Sequence, residues 1–140
     1  MKFLTYKKEN NQEPDFGFKH NDLIINIKKA AEWIHKDKGD DKFLTIPKDL
    51  ITTLGDWNNY FPILKEMEEI IQTGDTSKFS NPELEVKILP PVMNPPAFRD
   101  FYAFEQHVRS ARKLRGLDMH PDWFKIAIFY FSNPNCCYGH

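Results

Sequence analysis

A cluster of prolines near the middle of the chain is the feature that most limits how it can fold. Residues 90–96 contain four prolines in seven positions. Proline has no backbone N–H and clashes with a preceding helical turn, so this segment suits neither a helix nor the interior of a sheet. We expect a stiff connector over residues 90–97 that separates one unit, 1–89, from another, 98–140. An ordinary loop inside a single domain remains the alternative.

The composition is typical of a small folded protein. Of the 140 residues, 41% are hydrophobic and 28% are charged, and the net charge is -1. A chain with so little net charge has no overall field to attract nucleic acid or an anionic membrane, so we expect neither partner. No apolar run has the length of a membrane span or of a signal-peptide core. The only cysteines, Cys136 and Cys137, are adjacent, and such a pair is poorly placed to bridge, which favours a cytoplasmic protein.

Hydrophobic periodicity predicts short strands at the start of the chain. Apolar and polar side chains alternate over residues 2–8 and again over 16–18, after a turn at Pro14. The apolar run 23–27 suits a buried strand. These segments predict a small antiparallel meander with a barrel-like form, and the alternation over residues 84–88 predicts one further strand.

Two helices are predicted in the same unit, which makes the fold class α+β. Apolar residues recur every three or four positions from Ile27 to Ile34, before a loop that begins near Gly39. The stripe is clearer over residues 57–72, where Lys and Glu side chains occupy the opposite side and Gly74 follows.

The second unit is predicted to contain one helix followed by one strand. Asp100 is a suitable N-cap, and Gly116 suits the end of the helix. The uncharged run 126–131 predicts a strand buried on both faces. The apolar stripe of the helix is formed by Phe101, Phe104, Val108, Ala111 and Leu114.

Asp100 and His107 are the residues of this unit that could carry chemistry. On one helix, a spacing of seven residues places both side chains on the same side. A carboxylate and an imidazole placed in this way can act as a base with its orienting partner, or as a metal ligand beside a base. A capping aspartate and a surface histidine give the same spacing, so the pair alone leaves both interpretations open.

A longer string adds to this pair. Residues 98–107 read F-R-D-F-Y-A-F-E-Q-H, and residues 121–124 and 129–133 read P-D-W-F and F-Y-F-S-N. This pattern resembles the fumarylacetoacetate hydrolase (fumarylacetoacetase) family, in which a D-F-Y-x-x-x-Q-H string opens the catalytic domain. The resemblance covers residues 90–139, whereas residues 1–89 match only in their layout of short strands and helices.

The resemblance implies a role for four residues. Asp100 would be a carboxylate ligand of Mg²⁺ or Ca²⁺, Tyr102 would contact the substrate, and His107 would be the base that activates the attacking water. An arginine that contacts substrate in the family falls on Arg115 only with a shift of one residue, because Gly116 occupies the aligned position. The implied reaction is the metal-dependent hydrolysis of a carbon–carbon bond in a small 1,3-diketo acid, as in aromatic amino-acid breakdown.

The chain also departs from the family pattern. The family completes its metal site with an E-x-E pair and a further Asp downstream of the string, and only 33 residues follow His107 here. We interpret Glu83-Leu84-Glu85, which precedes the string, as a solvated strand face rather than this pair. The chain is therefore expected to be the N-terminal part of such an enzyme, with a truncated start of the catalytic domain, and to be inactive alone.

Two further interpretations of the chain remain open. It could be a non-catalytic interaction module, as a homodimer or in association with a full-length homologue, or it could be a gene fragment without a function of its own. The uncharged run 126–131 favours association, because an uncovered apolar strand recruits other chains. A shorter chain that ends near Leu89 is expected to stay monomeric.

Overall fold

The computed structural model describes residues 1–9 and 13–138 of the chain. Its class is α+β, as the sequence predicts. The chain divides into two compact units, Met1–Met93 together with residues 137–138, and Asn94–Cys136. The division falls inside the proline-rich segment, which forms neither helix nor strand in the described chain.

The first unit is built on a five-stranded sheet that curls into a half-barrel. Its strands are β1 (Lys2–Lys7), β2 (Asp15–His20), β3 (Leu23–Asn26), β4 (Ser80–Pro82) and β5 (Lys87–Leu89). Their order is β4-β3-β2-β1-β5, and all neighbouring strands are antiparallel. The predicted meander is therefore confirmed as β1 to β3, with β4 and β5 added at its two edges.

Gly17 lies at the centre of the meander, where the strands approach closely. It is opposite Leu4 of β1 and Asn26 of β3. A Cβ atom at this position would clash with the carbonyl oxygen of Ile25 and would lie 3.0 Å from the ring of Tyr6. A glycine is therefore required here by the close approach of backbone and ring.

Three helices pack in this unit, α1 (Ile27–Lys38), α2 (Leu50–Gly55) and α3 (Trp57–Gln72). The two predicted helices are confirmed as α1 and α3. Side chains alternate across the sheet, so Phe16 and Phe18 contribute to the core shared with the helices, whereas Leu4, Tyr6 and Ile24 form a smaller cluster. The other buried members of the main core are Ile25, Ile27, Ala30, Ala31, Ile34, Phe43, Leu64, Met67, Ile71 and Phe79.

A buried polar network connects the sheet to α1. The side-chain Oδ1 of Asn26 caps α1 by accepting from the Lys29 backbone N–H at 3.0 Å, and its side-chain Nδ2 donates to the Tyr6 hydroxyl at 2.9 Å. The Asn81 amide donates to the same hydroxyl at 3.3 Å. Because these three side chains belong to β1, β3 and β4, one hydroxyl joins three strands and the first helix.

The predicted strand over residues 84–88 is only partly correct. Glu83–Glu85 forms a 3₁₀ turn, and the strand begins at Lys87. The Glu83 N–H donates to the carbonyl of Asp22 at 3.1 Å, and the Glu83 carboxylate pairs with Lys19. These tertiary contacts turn the chain, and they leave Leu84 fully exposed.

The second unit contains β6 (Phe98–Phe101), α4 (Glu105–Leu114) and β7 (Phe129–Ser132). The prediction that Asp100 caps a helix is wrong, because residues 98–101 pair antiparallel with β7 and Asp100 lies opposite Tyr130. The helix begins only at Glu105. Its predicted end is confirmed, since Gly116 adopts a left-handed conformation with φ 69°.

The prediction that residues 126–131 are buried on both faces is also wrong. Tyr130 is 73% exposed and Phe131 is 69% exposed. Of the predicted stripe, Phe104 before α4 and Leu114 at its end are exposed, whereas Val108 is buried. Among the described residues, β6 and β7 form a sheet of two strands only, and Val108 is the one large apolar side chain of the unit that is fully buried.

No helix in the described part of the chain combines the length and the apolar character needed to cross a membrane.

Replacing Asn26 is expected to destabilise the fold more than replacing an exposed helix cap. Asn26→Ala removes a cap and a buried donor to Tyr6, so the free energy of unfolding should fall by roughly 2–4 kcal/mol. Asp49, which caps the short helix α2 through the Thr52 N–H at 2.9 Å, provides the control. Asp49→Ala should cost about 1 kcal/mol or less. Urea denaturation followed by far-ultraviolet circular dichroism measures both, and equal losses would contradict the role of the network.

Alkaline pH is expected to destabilise the protein through Tyr6. Burial raises the pKa of Tyr6 to about 12 from 10.0, although hydrogen bonds from Asn26 and Asn81 oppose the shift. Between these two values the unfolded chain releases the proton while the folded chain retains it, so stability is lost as the pH rises, by roughly 2–3 kcal/mol in total.

The Tyr6→Phe variant isolates this effect, because it lacks the titrating group. The difference in unfolding free energy between wild type and variant should be constant below pH 10 and should then shrink as the pH rises toward 12. A difference that does not change over this range would show that Tyr6 does not titrate in this way.

Candidate functional site

The predicted site residues lie in one strand–turn–helix segment of the second unit. Asp100 is in β6, Tyr102 is the residue directly after this strand, and His107 is in the first turn of α4. The argument that Asp100 and His107 share one face of a helix is therefore wrong. The two residues are instead placed by separate elements, and the short turn between β6 and α4 sets their separation.

Backbone hydrogen bonds hold this turn in place. The Tyr102 N–H donates to the carbonyl of Ile128 at 3.0 Å, which continues the ladder of β6 and β7 by one pair. The Tyr102 carbonyl accepts from the indole N–H of Trp123 at 2.9 Å. Because Asp100 and Tyr102 are two residues apart on an extended chain, their side chains lie on the same side of it.

Tyr102 and His107 are brought into direct contact. Their ring centroids are 5.8 Å apart, and the planes of the two rings meet at 89°. This edge-to-face arrangement is favourable for aromatic rings and restricts the orientation of the imidazole. His107 is exposed and Tyr102 is half-buried, so the pair is open to solvent and to a ligand.

Arg115 lies at the other end of the helix. It is the C-cap residue of α4, whereas His107 is in the first turn. Eight residues of helix correspond to about 12 Å along the axis. A molecule in contact with both residues would have to extend along the helix, so the structure does not gather all four predicted residues around one point.

The acidic residues do not form a site for a divalent cation by themselves. Among the described residues, there is no group of three or more His, Cys, Asp or Glu side chains that could hold a metal ion. Mg²⁺ and Ca²⁺ take about six or more oxygen ligands, and Asp100 supplies one exposed carboxylate. The described residues therefore do not fit a complete Mg²⁺ or Ca²⁺ site.

Two contributions to the segment were missed in the sequence. The Trp123 indole fixes the carbonyl of Tyr102, and the Arg99 guanidinium lies over the rings of Phe129 and Phe131 at 5.5 Å and 5.1 Å from their centroids. The prediction that a helix begins after Asp100 conceals the strand Phe98–Phe101 and, with it, the cross-strand contact of Arg99. The apolar content of residues 126–131 is the only local signal for β7, the strand whose phenylalanine rings Arg99 contacts.

A cavity of about 600 Å³ is present in the first unit, away from these residues in the sequence. Phe43, Leu44 and Ile46 contribute apolar walls, and Lys28, Lys48, Glu32 and other charged residues line the remainder. Because both signs of charge occur there, the lining does not select a ligand of one charge.

No protein-family model matches the chain, and no curated protein sequence matches it. The relation to fumarylacetoacetate hydrolases therefore stays a prediction that depends on the string around Asp100, Tyr102 and His107.

The contact between Tyr102 and His107 predicts a measurable ring-current effect. In the Tyr102→Leu variant, the Hε1 resonance of His107 should shift because the neighbouring aromatic ring is removed. His120, which caps a separate 3₁₀ turn, provides an internal control and should keep its resonance. Proton–carbon correlation spectra of both proteins check this, and an unchanged His107 signal would contradict the contact.

Proposed function

We propose that this chain forms part of a fumarylacetoacetate hydrolase-like enzyme that hydrolyses a carbon–carbon bond in a small 1,3-diketo acid. The observation that carries the proposal is the arrangement of the D-F-Y-x-x-x-Q-H string. Tyr102 and His107 are in edge-to-face contact, and Asp100 precedes them on the same short segment. A strand–turn–helix of this kind positions side chains more firmly than a free loop does.

In this proposal each side chain has a distinct task. His107 accepts a proton from the attacking water, for which an imidazole is well suited. Tyr102 packs against the imidazole and offers a phenol hydroxyl to the substrate. Asp100 contributes one hard oxygen ligand to a divalent cation, and Arg115 at the end of α4 pairs with a carboxylate of a substrate long enough to reach it.

The chain alone is not proposed to be active. One carboxylate is far from the oxygen-ligand set that Mg²⁺ or Ca²⁺ requires, and no acidic cluster surrounds Asp100 in the described residues. The remaining ligands have to be supplied by additional polypeptide, and the substrate is bound only in that complete site.

A second candidate function is that of an interaction module that associates with a further copy or with a full-length homologue. One specific observation favours it, namely the many exposed large apolar side chains in the second unit. An apolar surface of this extent on a folded chain is typical of a site that another protein covers.

The hydrolase proposal predicts that activity can be restored by completing the site. The chain would be fused to the region that follows the D-F-Y-x-x-x-Q-H string in an enzyme of the family, and loss of diketo absorbance would be followed with and without Mg²⁺. We expect Mg²⁺-dependent turnover by the fusion and none by the chain alone. Asp100→Ala should abolish the Mg²⁺-dependent turnover, and His107→Ala should lower kcat by about 10²–10⁴-fold while metal binding persists.

Matched controls lie just beyond the string in the same unit. Asp118→Ala and His120→Ala remove an exposed carboxylate and an exposed imidazole and should leave kcat within about twofold. Wild-type rates in the Asp100 and His107 variants, or turnover by the isolated chain that His107→Ala abolishes, would refute the assignment.

A further inference from the structure

The indole of Trp123 binds the chain at the point where it leaves β6. Its N–H donates to the Tyr102 carbonyl at 2.9 Å, while the Tyr102 N–H donates to the Ile128 carbonyl at 3.0 Å. In a regular antiparallel pair, the Ile128 N–H would return a bond to the Tyr102 carbonyl. Among the described residues this returning bond does not occur, and the carbonyl accepts from the indole instead. A side chain therefore replaces the ladder at this position.

Trp123 is itself restricted by its local structure. It belongs to the 3₁₀ turn Pro121–Phe124, and its backbone N–H donates to the His120 carbonyl at 3.0 Å. The His120 imidazole accepts from the Asp122 N–H at 3.2 Å at the start of the same turn. The indole also meets the ring of Phe124 edge to face, with centroids 5.0 Å apart. These contacts limit the motion of the indole, so its N–H is a preorganised donor.

The helix that contains His107 begins without a cap from a side chain. Phe104 is the N-cap residue of α4, and its side chain makes no capping hydrogen bond. Residues 102–104 connect β6 with this helix. In the part of the chain that the structure describes, the bond from Trp123 is the only hydrogen bond from a side chain to this connection. The bond therefore contributes to the angle at which the chain turns from the strand into the helix.

The two backbone bonds of Tyr102 also direct its side chain. Its N–H is held by Ile128 and its carbonyl by Trp123, so the peptide groups on both sides of its Cα are fixed. The direction of the Cα–Cβ bond then follows from the backbone. The ring that this bond carries meets the His107 imidazole at a centroid distance of 5.8 Å.

We propose that Trp123 is a positioning residue for His107, acting through Tyr102; the proposal rests on the hydrolase function proposed above. The indole holds the Tyr102 peptide, and the Tyr102 ring in turn restricts the imidazole. A base that is held in one orientation reaches its proton-accepting geometry more often than one that rotates freely. In this role Trp123 does not touch the substrate.

Nuclear magnetic resonance of the full chain tests the first step. Trp123→Phe keeps an aromatic ring and removes the N–H donor. We expect it to abolish the nuclear Overhauser effect between the Tyr102 and His107 rings and to shift the His107 Hε1 resonance in the same direction as Tyr102→Leu does. Trp57→Phe, the same change in α3 of the first unit, is the matched control and should alter neither signal. Unchanged Tyr102 and His107 signals in Trp123→Phe would overturn the proposal.

An isosteric replacement separates the donor from the packing of the ring. 3-Benzothienylalanine incorporated at position 123 has the shape of tryptophan, with sulfur in place of the N–H group. It should cause the same loss of the contact between Tyr102 and His107 as Trp123→Phe. A contact that survives with the isostere and is lost only with phenylalanine would show that packing is responsible, and would contradict the role of the donor. Unchanged far-ultraviolet circular dichroism controls for unfolding.

Kinetics of the fusion that completes the site test the consequence for the reaction. Trp123→Phe should lower kcat by roughly tenfold or more and leave KM within about twofold, because orientation of the base affects the transition state more than substrate binding. Trp57→Phe should change neither constant. A wild-type kcat in Trp123→Phe would overturn the positioning role. A wild-type fusion without turnover would refute the hydrolase function instead, and the spectra of the full chain would then decide whether Trp123 holds the pair.

Discussion

The buried hydroxyl of Tyr6 is the contact on which the first unit depends most. The side-chain amides of Asn26 and Asn81 both donate to it, and Asn26 also caps α1 with its side-chain Oδ1. A polar group without a partner at this depth would cost several kcal/mol. The network therefore determines how β1, β3 and β4 meet, and it fixes the point where the chain leaves the sheet and enters the first helix.

The described residues of the second unit contain no comparable buried network. Val108 is its only fully buried large apolar residue among those described, and Phe104, Leu114 and Tyr130 are mostly exposed. The stability of this unit depends on the ladder between β6 and β7, the Trp123 contact to the turn and the stacking of Arg99 on two phenylalanine rings. Additional covering polypeptide would contribute the burial that these contacts lack.

The two candidate functions concern different surfaces of this unit, and each needs something that the unit lacks. A hydrolase site around Asp100 and His107 needs further oxygen ligands, and the exposed apolar side chains of the unit need a surface that covers them. The first need arises because the described residues contain no group of three or more metal-ligating side chains, and the second because the large apolar side chains of β6 and β7 are exposed. The contact between Tyr102 and His107 is nevertheless formed by residues of one short segment, so it does not require the missing partners.

The sequence by itself determined the α+β class, the meander, α1, α3 and the end of α4, because each depends on the periodicity or the glycines of a local segment. Only the tertiary structure decided the conformation around Asp100. A capping residue before an apolar stripe predicts a helix, yet pairing with the distant Tyr130 draws residues 98–101 into a strand. Likewise, the backbone hydrogen bond between the Glu83 N–H and the Asp22 carbonyl accompanies a 3₁₀ turn at the start of residues 84–88, whose alternation predicts a strand. The helix and strand propensities of ordinary residue types differ from one another by about 1 kcal/mol or less per residue. Nonlocal hydrogen bonds and packing of this kind outweigh such differences.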